Sequence, residues 1–258
     1  MNKHLITAAF LFLSLALLSC GNSKGPVTMT LISYNVGVFS KYGDDTTPQV
    51  CELIREADAS LVALNELDSC NRRHAAFQLK ELADGLGGWS FHFASAFPFA
   101  GGAYGNGVVS RDEVVSRHII HLPQSDGSEP RSVAVVETDR CVFASVHLDY
   151  VGEHSQRLQV ETLNGWFKAV YAGIGKPVFL CGDFNAEPDS ETIRLMREDW
   201  IQLSGTDFTY STTNPGKCID FVFAYKDAAS VEVVSSEVLT EGTATFSDHF
   251  PVKVVVKF

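Results

Sequence analysis

Two short motifs carry polar atoms from which chemistry can be built: Gly182-Asp183-Phe184-Asn185 and Ser247-Asp248-His249. Each sets a carboxylate beside a second polar side chain at the border of an apolar run. Val178-Phe179-Leu180-Cys181 precedes the first, and Phe250-Pro251-Val252 follows the second. A buried strand ending in Asp-x-Asn delivers two oxygen ligands to its tip. A strand opening on Asp-His brings a carboxylate and an imidazole to the same level. Carboxylate and amide oxygens suit hard cations such as Mg²⁺ or Mn²⁺. An imidazole added to them points to metal-assisted hydrolysis of a phosphate ester. Taken alone, Asp183-Phe184-Asn185 is equally well explained as an Asx turn, so its meaning depends on what surrounds it.

The elements that must position these motifs alternate between strand and helix. Apolar runs predict strands over residues 29–36, 60–65, 89–94, 107–110, 131–137, 141–147, 178–181, 219–224 and 252–258. Helical periodicity predicts helices over 48–57, 75–86, 154–171 and 190–197. Thr46 or Thr47 is a candidate cap for the first and Asp189 or Ser190 for the last, while Gly87-Gly88 stops the second. The Gly/Phe-rich segment 97–106 reads as a loop, and its apolar, flexible character fits a lipid-like or small organic leaving group. Polar residues recur at strand ends, namely Asn35, Glu66, His147, Asp183 and Asp220, where a rigid sheet displays chemistry. Buried strands flanked by helices imply a layered α/β fold with two packed sheets.

Composition narrows the function. The chain of 258 residues carries 20 Lys and Arg against 31 Asp and Glu, a formal net charge of -11. Non-specific duplex binding relies on basic surface that displaces counterions, so the balance disfavours nucleic acid as a partner. The N-terminus reads as a targeting segment: a short polar start, then an apolar run from Leu5 to Leu18 that ends in Leu17-Leu18-Ser19-Cys20. The run falls short of the roughly 20 residues of a spanning helix and suits a signal-peptide core. Cys20 at its end, followed by Gly21-Asn22-Ser23-Lys24-Gly25, resembles a bacterial lipoprotein signal. The expected organisation is a signal peptide over 1–19, a lipidated Cys20 with a flexible tether to residue 27, and one domain over 28–258. That places an exported bacterial protein at a membrane by its lipid anchor. No two of the remaining cysteines show CxxC spacing, and Cys141 and Cys181 sit in apolar strand patterns as small hydrophobes.

In order, the strand tips resemble the endonuclease/exonuclease/phosphatase superfamily, the fold of pancreatic deoxyribonuclease. The likeness rests on Ser33-Tyr34-Asn35-Val36, Leu64-Asn65-Glu66-Leu67-Asp68, Tyr104-Gly105-Asn106-Gly107, Val146-His147-Leu148-Asp149, Gly182-Asp183-Phe184-Asn185, Ile219-Asp220-Phe221 and Ser247-Asp248-His249-Phe250-Pro251. Any one of these is weak; together, in family order, they are specific. The resemblance implies a DNase I-like four-layer α/β sandwich of two mixed β-sheets flanked by helices. It implies Glu66 as principal Mg²⁺ ligand, with Asn35 nearby and Asp248 completing the acidic site; Mn²⁺ is a plausible substitute. It makes Asp183 and Asn185 the residues that orient water and phosphate. His249 is implied as general base, oriented by Asp220, and His147 as donor to the phosphoryl group. Asp183 shares with His249 a claim to be the base. Tyr104, Asn106 and Arg131 are candidate substrate contacts, Arg72 or Arg73 candidate phosphate or scaffold contacts. His74, His92, His118, His121 and His154 match no motif and read as surface or packing residues.

The expected activity is Mg²⁺-dependent hydrolysis of a phosphodiester or phosphomonoester, lipid-like or small, by in-line attack of water in a monomeric enzyme. An extracytoplasmic nuclease and a non-catalytic binding lipoprotein on the same fold are the alternatives.

Overall fold

The computed structural model describes residues 25–125 and 127–258. The expected signal peptide and Cys20 lie outside the described residues. The strands are β1 (Thr28–Asn35), β2 (Leu61–Ser69), β3 (Ser90–Phe99), β4 (Gly102–Ser110), β5 (Ser116–Leu122) and β6 (Arg131–Glu137). They continue as β7 (Val142–His147), β8 (Val178–Asp183), β9 (Trp200–Gln202), β10 (Asp220–Tyr225), β11 (Glu232–Val238) and β12 (Val252–Lys257). The helices are α1 (Thr47–Glu56), α2 (Gln78–Gly85), α3 (Glu153–Tyr171) and α4 (Glu191–Asp199).

The strands form two 6-stranded sheets, in the orders β11-β12-β1-β2-β4-β3 and β5-β6-β7-β8-β10-β9. Each has one parallel pair near its middle, β1 with β2 and β7 with β8. Parallel neighbours need a crossover; α1 supplies the first and α3 the second. Their buried faces exclude water in three layers of apolar side chains. Val50, Ile54, Leu79 and Leu82 of α1 and α2 pack on the outer face of the first sheet. Val160, Leu163, Phe167, Ile193 and Met196 of α3 and α4 cover the second. Between the sheets lie Leu31, Ala63, Val108, Phe143, Phe179, Val222 and Val254. This is the expected four-layer α/β sandwich.

The topology decides where chemistry can sit. β1, β2, β7 and β8 run toward one end of the sandwich, while β10 and β12 start there, being antiparallel to β8 and β1. Asn35, Glu66, His147, Asp183, Asp220 and the Asp248-His249 pair are therefore gathered at that end.

Several expectations change. Segment 97–106 is no loop: β3 and β4 pair from Ser90↔Ser110 to Phe99↔Gly102. They turn over at Ala100 and Gly101, both at positive φ (47° and 92°), as the tight hairpin turns that match strand twist require. Strand β2 continues to Ser69, so Glu66 is not a strand end but part of a bulge between Leu64 and Leu67, at φ 57°. Helix α2 begins later than expected because the preceding backbone is committed elsewhere: Ala76 O accepts from Cys70 N and Phe77 bridges to Ser69. At the start of α1 neither threonine side chain caps the helix. Asp45 Oδ1 instead accepts from Thr47 N and from Thr47 Oγ1. Ser190 does cap α4, accepting from Ile193 N. Just before β1, Val27 and Phe258 exchange both backbone hydrogen bonds. Cys141 and Cys181 are buried and free. Among the described residues no helix is long and apolar enough to cross a membrane.

Candidate active site

The strand tips open into a cleft of about 710 Å³. Asp183 stands at its floor and is fully buried. The residue before it must be glycine: Gly182 has φ +152°, and a Cβ there would stand 1.8 Å from Val146 O of the neighbouring β7. Asp183 is held by three elements. Its N–H donates to Asn65 Oδ1 (3.0 Å), its Oδ1 accepts from Asn185 N (2.8 Å), and its Oδ2 accepts from Asn35 Nδ2 (3.1 Å). Burial, with Asp220 nearby, raises this carboxyl to about 7, opposed by His249.

His249 is also buried. Its Nδ1 lies 2.9 Å from Asp220 Oδ2, and its Nε2 lies 3.6 Å from Asp183 Oδ2. Burial lowers an imidazole, but here the two carboxylates and the Asp220 hydrogen bond prevail and hold His249 up at about 10. Ser247 fixes the loop, its Oγ donating to Asn35 O (2.7 Å) and accepting from His249 N (3.3 Å). The Tyr210 ring packs over the imidazole at 4.8 Å. His147 behaves in the opposite way. Burial, with Arg131 and His249 nearby, drives it well below the ordinary imidazole range. Its 3.5 Å approach to Asp183 Oδ2 is therefore a contact of a neutral ring, not an ion pair. Its Nδ1 is buried without a partner, as are Asp220 Oδ1 and Arg131 Nε. Such orphan atoms call for an explanation in a functional site.

The other wall is more open. Asn35 Nδ2 donates to Glu66 Oε1 (3.1 Å) as well as to Asp183, so one amide nitrogen brackets two carboxylates. Its Oδ1 accepts from Gly37 N (3.1 Å), so the atom expected to face a cation is engaged with backbone. Asp248 pairs with Lys41 Nζ at 2.7 Å.

Asp183, Asp220 and His249 place one ligand atom each within 4.8 Å of one another and could hold a divalent cation. Glu66 and Asp248 lie outside that compact group. Clustered carboxylates repel unless positive charge offsets them, and the Lys41 ammonium already does so at Asp248. The two carboxylates and the imidazole of Asp183, Asp220 and His249 are donors that a divalent cation can take, and Glu66 and Asp248 offer hard oxygen donors nearer solvent.

Of the candidate substrate contacts, Tyr104 and Arg131 line the cleft. Asn106 does not: it is buried beneath it, its Nδ2 donating to Ser132 O (2.7 Å) and its Oδ1 accepting from Asn65 Nδ2 (3.2 Å). Asn185 lines the cleft but donates through Nδ2 to Leu148 O (3.1 Å). Arg73 makes a bidentate pair with buried Asp68 at 2.7 and 2.8 Å. His74 belongs to the same group, with Nδ1 2.5 Å from Asp68 and Nε2 2.9 Å from Ser40 Oγ.

Three residues at the site escaped sequence reasoning. Lys41 sits in a connecting segment and carries no motif. Tyr210 lies in an irregular segment. Asn65 was legible in principle, because strand alternation points this polar residue between the sheets. Its Nδ2 donates to Ser145 Oγ (3.2 Å) and Val146 O (2.9 Å) of the opposite sheet.

Comparison with known proteins bears on the sequence and on the fold. The sequence matches the Endonuclease/Exonuclease/phosphatase family over residues 32–249. No curated protein matches. An endonuclease/exonuclease/phosphatase family protein from Bacteroides thetaiotaomicron superposes with TM-score 0.72 at 19% identity, over 90% of this chain and 98% of the other. A mannosyl-6-phosphatase of the same organism gives 0.72 at 20% identity, over 89% and 100%. The human Nocturnin catalytic domain with bound sulfate gives 0.69 at 17%, over 89% and 93%. At these identities the likeness establishes the fold.

Proposed function

The chain belongs to the endonuclease/exonuclease/phosphatase family, and from that premise we propose that it is a Mg²⁺-dependent hydrolase of small phosphate esters. Phosphoesterase chemistry with metal assistance is common ground with the family; the cation, the substrate class and the residue roles are the proposal. The observation that carries it is Asn35 Nδ2, 3.1 Å from both Glu66 Oε1 and Asp183 Oδ2. It joins a carboxylate poised to take a proton to a carboxylate open to a cation.

Glu66 and Asp248 would hold Mg²⁺, or Mn²⁺ in its place, with Asn35 positioning Glu66. A cation bound there would offset the charge that gathers on the phosphoryl and leaving oxygens. Asp183, raised to about 7, has the basicity that proton removal from water near neutrality calls for. His249, raised to about 10, is a cation at neutral pH and suits a donor to a phosphoryl oxygen. Of the two residues with a claim to be the base, this favours Asp183. Asp220 orients the imidazole and supports its charge. Neutral His147 and Arg131 face the phosphoryl group from the second sheet, and Asn185 shapes the turn that presents Asp183.

The cleft supports a small ester over a nucleic acid, because Glu129, Glu153 and Glu187 stand among its basic residues and the chain carries a net charge of -11. The anchored, extracytoplasmic location and monomeric state belong to the proposal too; unchanged membrane fractionation of Cys20→Ser would remove the anchor. The activity test uses the full chain with bis-p-nitrophenyl phosphate, sphingomyelin, inositol phosphates and plasmid DNA, with Mg²⁺ or EDTA. Metal-dependent turnover that Asp183→Ala and His249→Ala abolish is expected. Turnover of DNA alone would replace the small-ester reading with a nuclease, and no metal-dependent turnover of anything would refute the proposal.

A further inference from the structure

The cleft has a side chamber under the tip of the β3–β4 hairpin. It measures about 220 Å³ and shares Lys41, Glu66, Tyr104 and Glu129 with the main cleft. We propose that this chamber is the leaving-group subsite and that it takes a single polyhydroxylated ring, so that the preferred substrates are phosphate esters of sugars or cyclic polyols. The proposal rests on the phosphoesterase reading above and deepens it.

Direction comes from in-line displacement. Water's oxygen bonds to phosphorus as the P–O bond to the alcohol breaks; Asp183 takes the water's proton, and the departing alkoxide takes one from solvent. The leaving oxygen must lie opposite the attacking water. Asp183 and His249 stand on the attacking side, and Asn35 links Asp183 across to Glu66. Beyond Glu66 lies the chamber, so the alcohol is directed into it.

Its walls select the alcohol. A bulge between Ser95 and Phe97 shifts the β3 register so that Phe97 pairs with Tyr104. Without the extra residue, Phe97 and Phe99 would follow Phe91 and Phe93 onto the helix-covered face. With it they turn to the cleft and form a cluster with Tyr104 at centroid distances of 5.4 to 6.4 Å. Re-aiming side chains next to active sites is a recurrent use of bulges. The Arg73 guanidinium stands 4.7 Å from the Phe99 centroid and 5.8 Å from that of Tyr104, locked there by buried Asp68.

The rings are tilted 44°, 59° and 89° to one another, which leaves no parallel slot to sandwich a nucleobase. An acyl chain would strip water from Glu66, Glu129, Lys41 and Arg73 with nothing in return. A saturated ring with C–H groups on its face and hydroxyls at its edge meets both the aromatic wall and the charged groups. The volume also fits one ring, since drug-sized ligands occupy about 300 Å³ or more.

The test compares kcat/KM for glucose 6-phosphate, mannose 6-phosphate and myo-inositol 1-phosphate with that for ethyl phosphate, adenosine 5′-monophosphate and dodecyl phosphate. At least one ring ester should exceed ethyl phosphate by about a hundredfold, and Phe99→Ala should lower that ratio about tenfold or more. Phe99→Leu, which keeps bulk but removes the flat face, should lower it too and guards against misfolding of the alanine variant. Calorimetry of the preferred ring ester with Asp183→Ala, alone and combined with Phe99→Leu, reads the chamber without turnover and should show about tenfold weaker binding in the double variant. Ring esters no better than ethyl phosphate, or a Phe99-dependent preference for the nucleotide or the dodecyl ester, would overturn the inference while leaving the phosphoesterase reading intact. Ring-ester binding without turnover of any ester by the wild type would overturn the phosphoesterase reading and the leaving-group assignment with it, and leave only a ring-binding chamber.

Discussion

On one wall of the cleft Asp183, Asp220, His147 and His249 are all buried, and Asp183 alone is held by Asn65, Asn185 and Asn35. On the other, Glu66 and Asp248 are partly exposed, and their partners are the Asn35 amide and the Lys41 ammonium. Burial does different work on the two sides. In the first it shifts proton affinities, pushing a carboxyl up to about 7 and an imidazole down. In the second, exposure leaves carboxylates that an arriving cation can reach. Under the proposed function the cleft would divide its labour by depth, with proton handling prearranged in the floor and cation binding left to an open, charge-balanced rim.

The most severe way to break this comparison is to remove the floor. Asp183→Ala should cut kcat by about 10³- to 10⁴-fold while circular dichroism stays native. In the wild type, the acid limb of the kcat/KM profile should lie above the ordinary carboxylate range. A carboxyl raised to about 7 takes up its proton, and stops acting as a base, as pH falls through that value. Asn65→Ala attacks the floor from beneath. It orphans the Asp183 N–H and breaks the tie to Ser145 and Val146. Denaturant unfolding should show a loss of about 1–3 kcal/mol, with a smaller fall in turnover. The mildest change sharpens the rim: Lys41→Met removes the ammonium that competes for Asp248. Manganese titration followed by electron paramagnetic resonance should then show several-fold tighter binding.

These walls were unequally legible in the sequence. The floor could be read because each residue ends or opens an apolar strand: His147 at the end of β7, Asp183 at the end of β8, Asp220 opening β10. The β6 bounds, 131–137, were also plain, since a strand buried on both faces is a continuous apolar run. The rim was harder. Glu66 owes its aim to a bulge, and a bulge is invisible to a period of two. The hairpin tip looked like a loop because its glycines mask the pairing of Phe97 with Tyr104. β11 is exposed along nearly its whole length, so no apolar face announces it. Lys41 has no local signal, because its partner Asp248 is distant in the chain. Asn106 was assigned to the substrate from its motif. Its role beneath Asn65 follows only from the packing of the two sheets.

The measurement that bears most directly on the division of labour is the Mg²⁺ dependence of turnover in Glu66→Gln beside Asp220→Asn. Glu66→Gln should raise the half-saturating Mg²⁺ concentration at least about tenfold, and Asp220→Asn should lower kcat without moving it. A shift of the half-saturating concentration in Asp220→Asn with none in Glu66→Gln would place the cation in the floor and contradict the account.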